Sequence, residues 1–178
     1  MIIRRMIRAA KLELGLYEEV EADKGATVEA LAAVVFSSLA SGVGMTSTGG
    51  GSGFIAGTIG ALAGWFIWAF LTFLIGTKIL REPQTQANTG ELLRTIGFAQ
   101  SPRSILLLGC IHPTLAGILI LVAFVWTAAA MVIAVRQALD YKSTGRAMAV
   151  VVIGGLVQLL VFVGLIVVIT GLTAGPGA

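Results

Sequence analysis

The chain has 178 residues, of which 57% are hydrophobic and 12% charged, with a mean hydropathy of +0.96; soluble domains carry about 25% charged residues, so a surface that is water-soluble throughout is excluded. The net charge of +3 and the pI near 9.4 do not point to nucleic acid, because the basic residues never form a tract of five or more. One cysteine, Cys110, and one histidine, His112, exclude an intramolecular disulfide and any recognisable zinc pattern.

Residues 1 to 29 alternate charge and apolar residues instead of opening on the apolar stretch of a signal peptide, so the amino terminus is expected to be retained. From Met1 to about Val20, Ile3, Ile7, Ala10, Leu14 and Tyr17 recur at steps of three or four, one face of a helix, which Ile2 and Met6 widen. Arg4, Arg5, Arg8 and Lys11 fall on the opposite side. The pattern predicts a basic amphipathic helix that lies in the lipid headgroup region or packs on the protein's own cytoplasmic face. Glu18, Glu19, Glu21 and Asp23 then reverse the charge. Residues 1–28 read as a cytoplasmic amphipathic helix with an acidic linker, and 29–178 as a transmembrane domain.

The first membrane segment, about Ala30 to Met45, is short and rich in Ser, Ala and Gly, which marks an inner helix. The uncharged sequence TSTGGGSG, Thr46 to Gly53, reads as a flexible hairpin linker. No Gly-Lys-Ser/Thr follows that would make it a phosphate loop. Phe54 to Gly76 has no charge and is long enough to span. Gly53, Gly57 and Ala61, with Gly60 and Gly64, form two small-residue ridges for helix packing. Trp65 and Trp68 lie mid-span and are expected to face another helix.

From Thr77 to Arg103 the chain turns polar. Asn88, followed three residues later by Glu91, predicts a capping box and a short helix that ends before Ser101-Pro102. Residues 104 to 135 form one uncharged run of 32, which as a single helix would reach about 48 Å against a hydrocarbon core of about 30 Å. His112-Pro113 is the expected fold-back, with His112 capping a turn. Ala147 to about Leu172 is the last span, and its Gln158 needs a partner inside the bundle.

All twelve basic and all nine acidic residues fall within 1–29, 77–103 and 136–146. If these stretches share one side, 104–135 must cross an even number of times, and the positive residues put that side in the cytoplasm. The expectation is an all-α polytopic transmembrane helix bundle with five membrane segments, the third of them short, and the carboxyl terminus outside. A four-span version with one kinked 104–135 helix scatters the charges to both faces.

The block LLRTIGFAQSP, a short apolar piece ending in proline, and then VWTAAAMVIAVRQALDYKSTGRAMAVVVIGGLV resemble the Yip1-domain family. The matching positions are Gly97, Phe98, Ala99, Pro102, Trp126, Arg136, Leu139 and Thr144 to Ala147. LYEEVEAD, followed by an Ala-rich helix, looks like the prokaryotic branch. The resemblance implies a five-span protein without known catalysis, whose eukaryotic relatives act in vesicle traffic through protein partners. The eukaryotic branch has Asp-Leu-Tyr-Gly-Pro before the first span, where this chain has only Leu16-Tyr17-Glu18, which puts small-GTPase binding in doubt.

No catalytic residues, metal or cofactor are therefore expected. No predicted span holds Asp, Glu, Lys or Arg, which lowers an ion-coupled transport reading. The expected role is a non-enzymatic membrane scaffold or assembly protein in a prokaryotic cytoplasmic membrane. Passive lipid or small-solute carriage and membership of a larger membrane complex are the alternatives. Partners are the lipid bilayer and other membrane proteins or further copies of the chain, with no nucleic acid. Candidate contact residues are Arg4, Arg5, Arg8, Lys11, Tyr17, Gly97, Phe98, Pro102, Trp126 and Arg136; aromatic anchoring at the membrane surface is an equal reading of Tyr17 and Phe98.

Overall fold

The computed structural model describes residues 1–85 and 88–173, leaving aside the side chains of 48, 49, 166 and 169–173. The predicted tail after Thr173, and residues 86 and 87 of the polar turn, lie outside the described residues. The chain is helical throughout its described membrane segments. In order come α1 (Ile2–Ala10), α2 (Leu14–Ala22), α3 (Ala26–Gly44), α4 (Thr46–Leu74) with a π turn at Ile75–Ile79, and α5 (Thr89–Ala99). A 3-10 helix (Ser101–Ile111), α6 (Pro113–Ala138) and α7 (Thr144–Thr173) complete it. Four of these helices, in α3, α4, α6 and α7, are long and apolar enough to cross a membrane.

The amino-terminal helix is not continuous. Leu12 adopts a left-handed backbone, φ 61°, and divides the expected Met1–Val20 helix into α1 and α2. A leucine in that region costs about 1–2 kcal/mol. Burial of Leu16, Tyr17 and Val20 on the core offsets this cost.

The expected linker at 46–53 is helical instead. α3 ends at Gly44 and α4 begins at Thr46, and the reversal is made at Gly50, whose φ of 55° and ψ of −142° only glycine adopts without strain. After Gly50 the chain runs back along α3 at backbone contact. A Cβ on Gly53 would lie 2.6 Å from the Met45 carbonyl, and one on Gly42 would lie 2.7 Å from the Phe54 carbonyl. The π turn at the end of α4 frees carbonyls from the normal helical ladder. Tyr141 covers this end, its one hydroxyl proton shared between Gly76 O and Leu80 O, each at 2.9 Å.

The capping box forms as its spacing predicts. Asn88 Oδ1 accepts from Gly90 N at 2.9 Å and Glu91 accepts from Asn88 N at 3.0 Å. From there α5 and the 3-10 helix run beside α3 in the same direction. A Cβ on Gly97 would meet Ala30 at 3.0 Å, and one on Gly109 would meet Gly44 at 3.2 Å. On α3 those contact points are fourteen residues apart, or about 21 Å at α-helical rise, yet the neighbouring chain covers them in twelve residues. The 3-10 geometry explains the match, since its rise of about 2.0 Å per residue stretches a short segment. The fold-back falls where the proline predicts. His112 Nδ1 accepts from Thr114 N at 3.2 Å and Pro113 opens α6.

α6 returns along the 3-10 helix, with Gly109 facing Ala116. α7 packs antiparallel to α4, where Gln158 Nε2 donates to Gly64 O at 3.3 Å and Gly155 meets Trp68. Trp65 is buried, as its mid-span position suggests. Gly60 meets nothing within 4 Å, so the expected Gly60–Gly64 ridge is used only at Gly64.

Gly42→Leu is expected to separate α3 from α4 and cost about 1–3 kcal/mol, whereas Gly60→Ala should gain up to about 1 kcal/mol of helix propensity. Thermal unfolding in detergent checks the pair. Equal midpoints for the two variants would refute the hairpin packing.

Candidate functional site

The three charged stretches meet at one end of the bundle and are tied together there. Arg5 is the centre of the first cluster. Its guanidinium lies 2.9 Å from both Glu19 and Asp23 and 3.3 Å from Glu29, so one cation links α1, α2 and α3. Arg8 adds Glu13 at 2.9 Å and Glu19 at 2.6 Å. α1 is also held by its carbonyls. Trp126 Nε1 donates to Ala10 O at 2.7 Å, and the buried Tyr17 hydroxyl donates to Ala9 O at 3.3 Å.

Arg94 of α5 is buried and donates to Val20 O at 2.8 Å and to Glu21 O, capping the end of α2. Glu18 accepts from Gln137 at 2.8 Å. A second cluster forms around the buried Glu82, which accepts from Lys142 N at 3.2 Å and from Gln84 and pairs with Arg146 at 3.5 Å. Gln84 also reaches Asp140 O at 3.3 Å, and Arg146 reaches Arg81 O at 3.4 Å. Residues from 1–29, 77–103 and 136–146 are thus linked to one another at the same end of the bundle.

This polar end sets the titration of its carboxyls. Bonds from Arg8 and then Arg5 hold Glu19 below the usual carboxylate range, and Arg5 and then Gly25 N do the same for Asp23. Burial, with repulsion from Asp140 and Glu91, pushes Glu21 up to about 7. Burial also raises the phenols of Tyr17 and Tyr141.

Several expected contact residues turn out to be internal. Arg5 is buried among carboxylates, on the same inward face of α1 as Ala9, while Ile3 and Ile7 are exposed beside Arg4 and Lys11. The expected apolar face is therefore split, with Ile2 and Met6 packed against the core and Ile3 and Ile7 turned outward, while Arg5 of the charged side points inward. Tyr17, Gly97, Phe98 and Pro102 are buried, and Arg136 is half-buried with Nε 3.3 Å from Tyr141 O. Arg4 and Lys11 remain open, and Arg8 is half-buried. Gly53 and Gly57 meet the end of α3, and Gly64 meets Gln158. Sequence reasoning missed Glu82, Arg94 and Tyr141. A lone arginine inside the apolar pattern of Leu92, Leu93 and Ile96 was the available signal for Arg94.

Chemically, the arrangement is a framework of mutually satisfied charges that fixes a surface. Among the described residues no group of three His, Cys, Asp or Glu is placed to hold a metal. A family model, the Yip1 domain, matches residues 18–166. No curated protein and no solved structure matches the chain.

Arg5→Met should leave three carboxylates without their shared cation and cost about 1–3 kcal/mol, a range lowered by the partial exposure of those carboxylates. Glu21 has the opposite pH sign to Glu19 and Asp23. Its raised value means stability fully present in acid and lost as pH rises through about 7, whereas theirs is present above the ordinary carboxylate range and lost as pH falls through their lowered values. The unfolding midpoint should therefore fall between about pH 5 and pH 8, and Glu21→Gln should flatten that slope. An unchanged slope in the variant would show that Glu21 is not its source.

Proposed function

The chain belongs to the Yip1-domain family, and from that premise we propose that it is a non-enzymatic integral membrane scaffold acting through protein partners bound at its one-sided polar surface. The observation that carries this reading is the joining of all three charged stretches by hydrogen bonds and ion pairs at one end of the bundle, with Lys24, Arg81, Lys142 and Arg146 left exposed there. A rigid face of mixed charge suits specific, reversible docking, because complementary charge fixes register and suppresses wrong partners.

The same reading has five crossings. The 3-10 helix leaves the polar end at Ser101 and reaches the level of Gly44 at Gly109, which supports a short third crossing. Positive residues favour the cytoplasm, so the amino terminus lies inside and the carboxyl terminus outside a prokaryotic cytoplasmic membrane. The outer face of α1, with Ile3 and Ile7 flanked by Arg4 and Lys11, supports its lying against the headgroups.

Cysteine labelling in a Cys110→Ser background tests the topology. A cysteine at Gln84 should react only from the cytoplasmic side and one at Gly51 only from outside; reaction of both from one side would sink the five-crossing reading. Isolation from native membrane in mild detergent tests the role and should return a stoichiometric protein partner. Repeated recovery alone, with lipid or solute flux in liposomes, would favour the carrier instead. Loss of fold on extraction would favour an accessory subunit of a larger complex.

A further inference from the structure

Residues 100–104, Gln-Ser-Pro-Arg-Ser, carry the chain from α5 into the 3-10 helix, at the point where it leaves the polar end of the bundle. Gln100 is 5% and Ser101 4% exposed, yet Gln100 Oε1, Ser101 Oγ and Ser104 Oγ have no hydrogen-bond partner. Arg103, which precedes Ser104 in sequence and is half-buried, has no ion pair, and its guanidinium makes no hydrogen bond. This sets it apart among the described residues. The other buried or half-buried arginines are all engaged: Arg5 and Arg8 by carboxylates, Arg94 and Arg136 by carbonyls.

Leaving such groups unpaired is costly, and most so for the charge. The groups have a common chemistry. A guanidinium and two hydroxyls are hydrogen-bond donors, and the Gln100 amide becomes one when turned over, an orientation that heavy atoms alone do not distinguish. Side chains three apart eclipse in a 3-10 helix, which stacks Ser101 and Ser104 on one ridge. The planar guanidinium fork matches a phosphate with two parallel bonds. Among the described residues no carboxylate pairs with it, and Glu19, Asp23 and Glu29 are taken by Arg5 and Glu82 by Arg146.

We propose that residues 100–104 form a binding site for a phosphate-bearing anion, gripped by the Arg103 guanidinium and the hydroxyls of Ser101 and Ser104. The phosphate is that of a lipid headgroup or a free phosphate. The site stands apart from the scaffold role and does not require it.

The test uses the full chain, purified and delipidated in an uncharged detergent, with its unfolding midpoint followed against three additives: short-chain phosphatidylglycerol, inorganic phosphate, and short-chain diacylglycerol, which lacks the phosphate. Phosphatidylglycerol should raise the midpoint saturably while diacylglycerol does not. Arg103→Gln should weaken the apparent affinity about tenfold or more, and Lys78→Gln, which removes an exposed charge outside this segment, should leave it unchanged. A matching response to inorganic phosphate identifies a free phosphate; a response to phosphatidylglycerol alone identifies the headgroup. Should Arg103→Gln not fold, Ser101→Ala with Ser104→Ala removes two unpartnered hydroxyls and should fold while binding more weakly. No saturable shift with either phosphate compound, full affinity in the variants of this segment, or loss of the shift in the Lys78 variant would overturn the site.

Discussion

A single guanidinium organises the polar end of this bundle. Arg5 draws carboxylates from α2, the turn after it and the first turn of α3 onto one cation, and so sets the angle at which the amino-terminal pair of helices rests on the transmembrane domain. Once α2 is fixed, its last carbonyls are presented to Arg94, which locks α5 in place, and α5 in turn aims the 3-10 helix down the side of α3. Pairs of this kind are weak where water competes fully. Here one partner is buried and the bonds are shared, so the cluster acts as a joint between elements far apart in sequence.

At the opposite end the ordering force is different. Close backbone approach replaces charge, with Gly42, Gly53 and Gly57 bringing α3 and α4 together and Gly44 facing Gly109. In hydrocarbon, water release does not drive helices together, and packing supplies the attraction. The molecule thus has a polar end held by ion pairs and a membrane body held by shape, joined through Tyr141 and the π turn of α4.

Much of this could be read from the sequence, and the failures share a cause. Hydropathy found the long spans, the Asn88–Glu91 spacing gave a cap, and the lone amide of Gln158 found its partner on α4. Periodicity along α1 gave the helix but not its orientation, for the apolar face is divided between Ile2 and Met6 on the core and Ile3 and Ile7 outside it. In water an apolar face turns inward, whereas beside lipid it can turn out, and the charged face then supplies the interior contact, as Arg5 does. The glycines at 49–51 suggested a flexible linker because composition cannot show that one dihedral, at Gly50, is enough for the reversal. Nor can composition tell a 3-10 helix from an α-helix. Rise per residue is decided by neighbours, here by the length of α3 that Ser101–Ile111 must match.

That stretched segment has a consequence for the surrounding lipid. Eleven residues at about 2.0 Å each give a length near 22 Å, against a hydrocarbon core of about 30 Å. Leu107, Leu108 and Ile111 are exposed along its lower half, so on the five-crossing reading acyl chains touching this side meet an apolar belt shorter than the one around α6 or α7. The bilayer must pinch there, at a cost of fractions of a kcal/mol per Å. Such a protein carries its own preference for membrane thickness, a form of address written in helix geometry and readable by any membrane thin enough to relieve the mismatch.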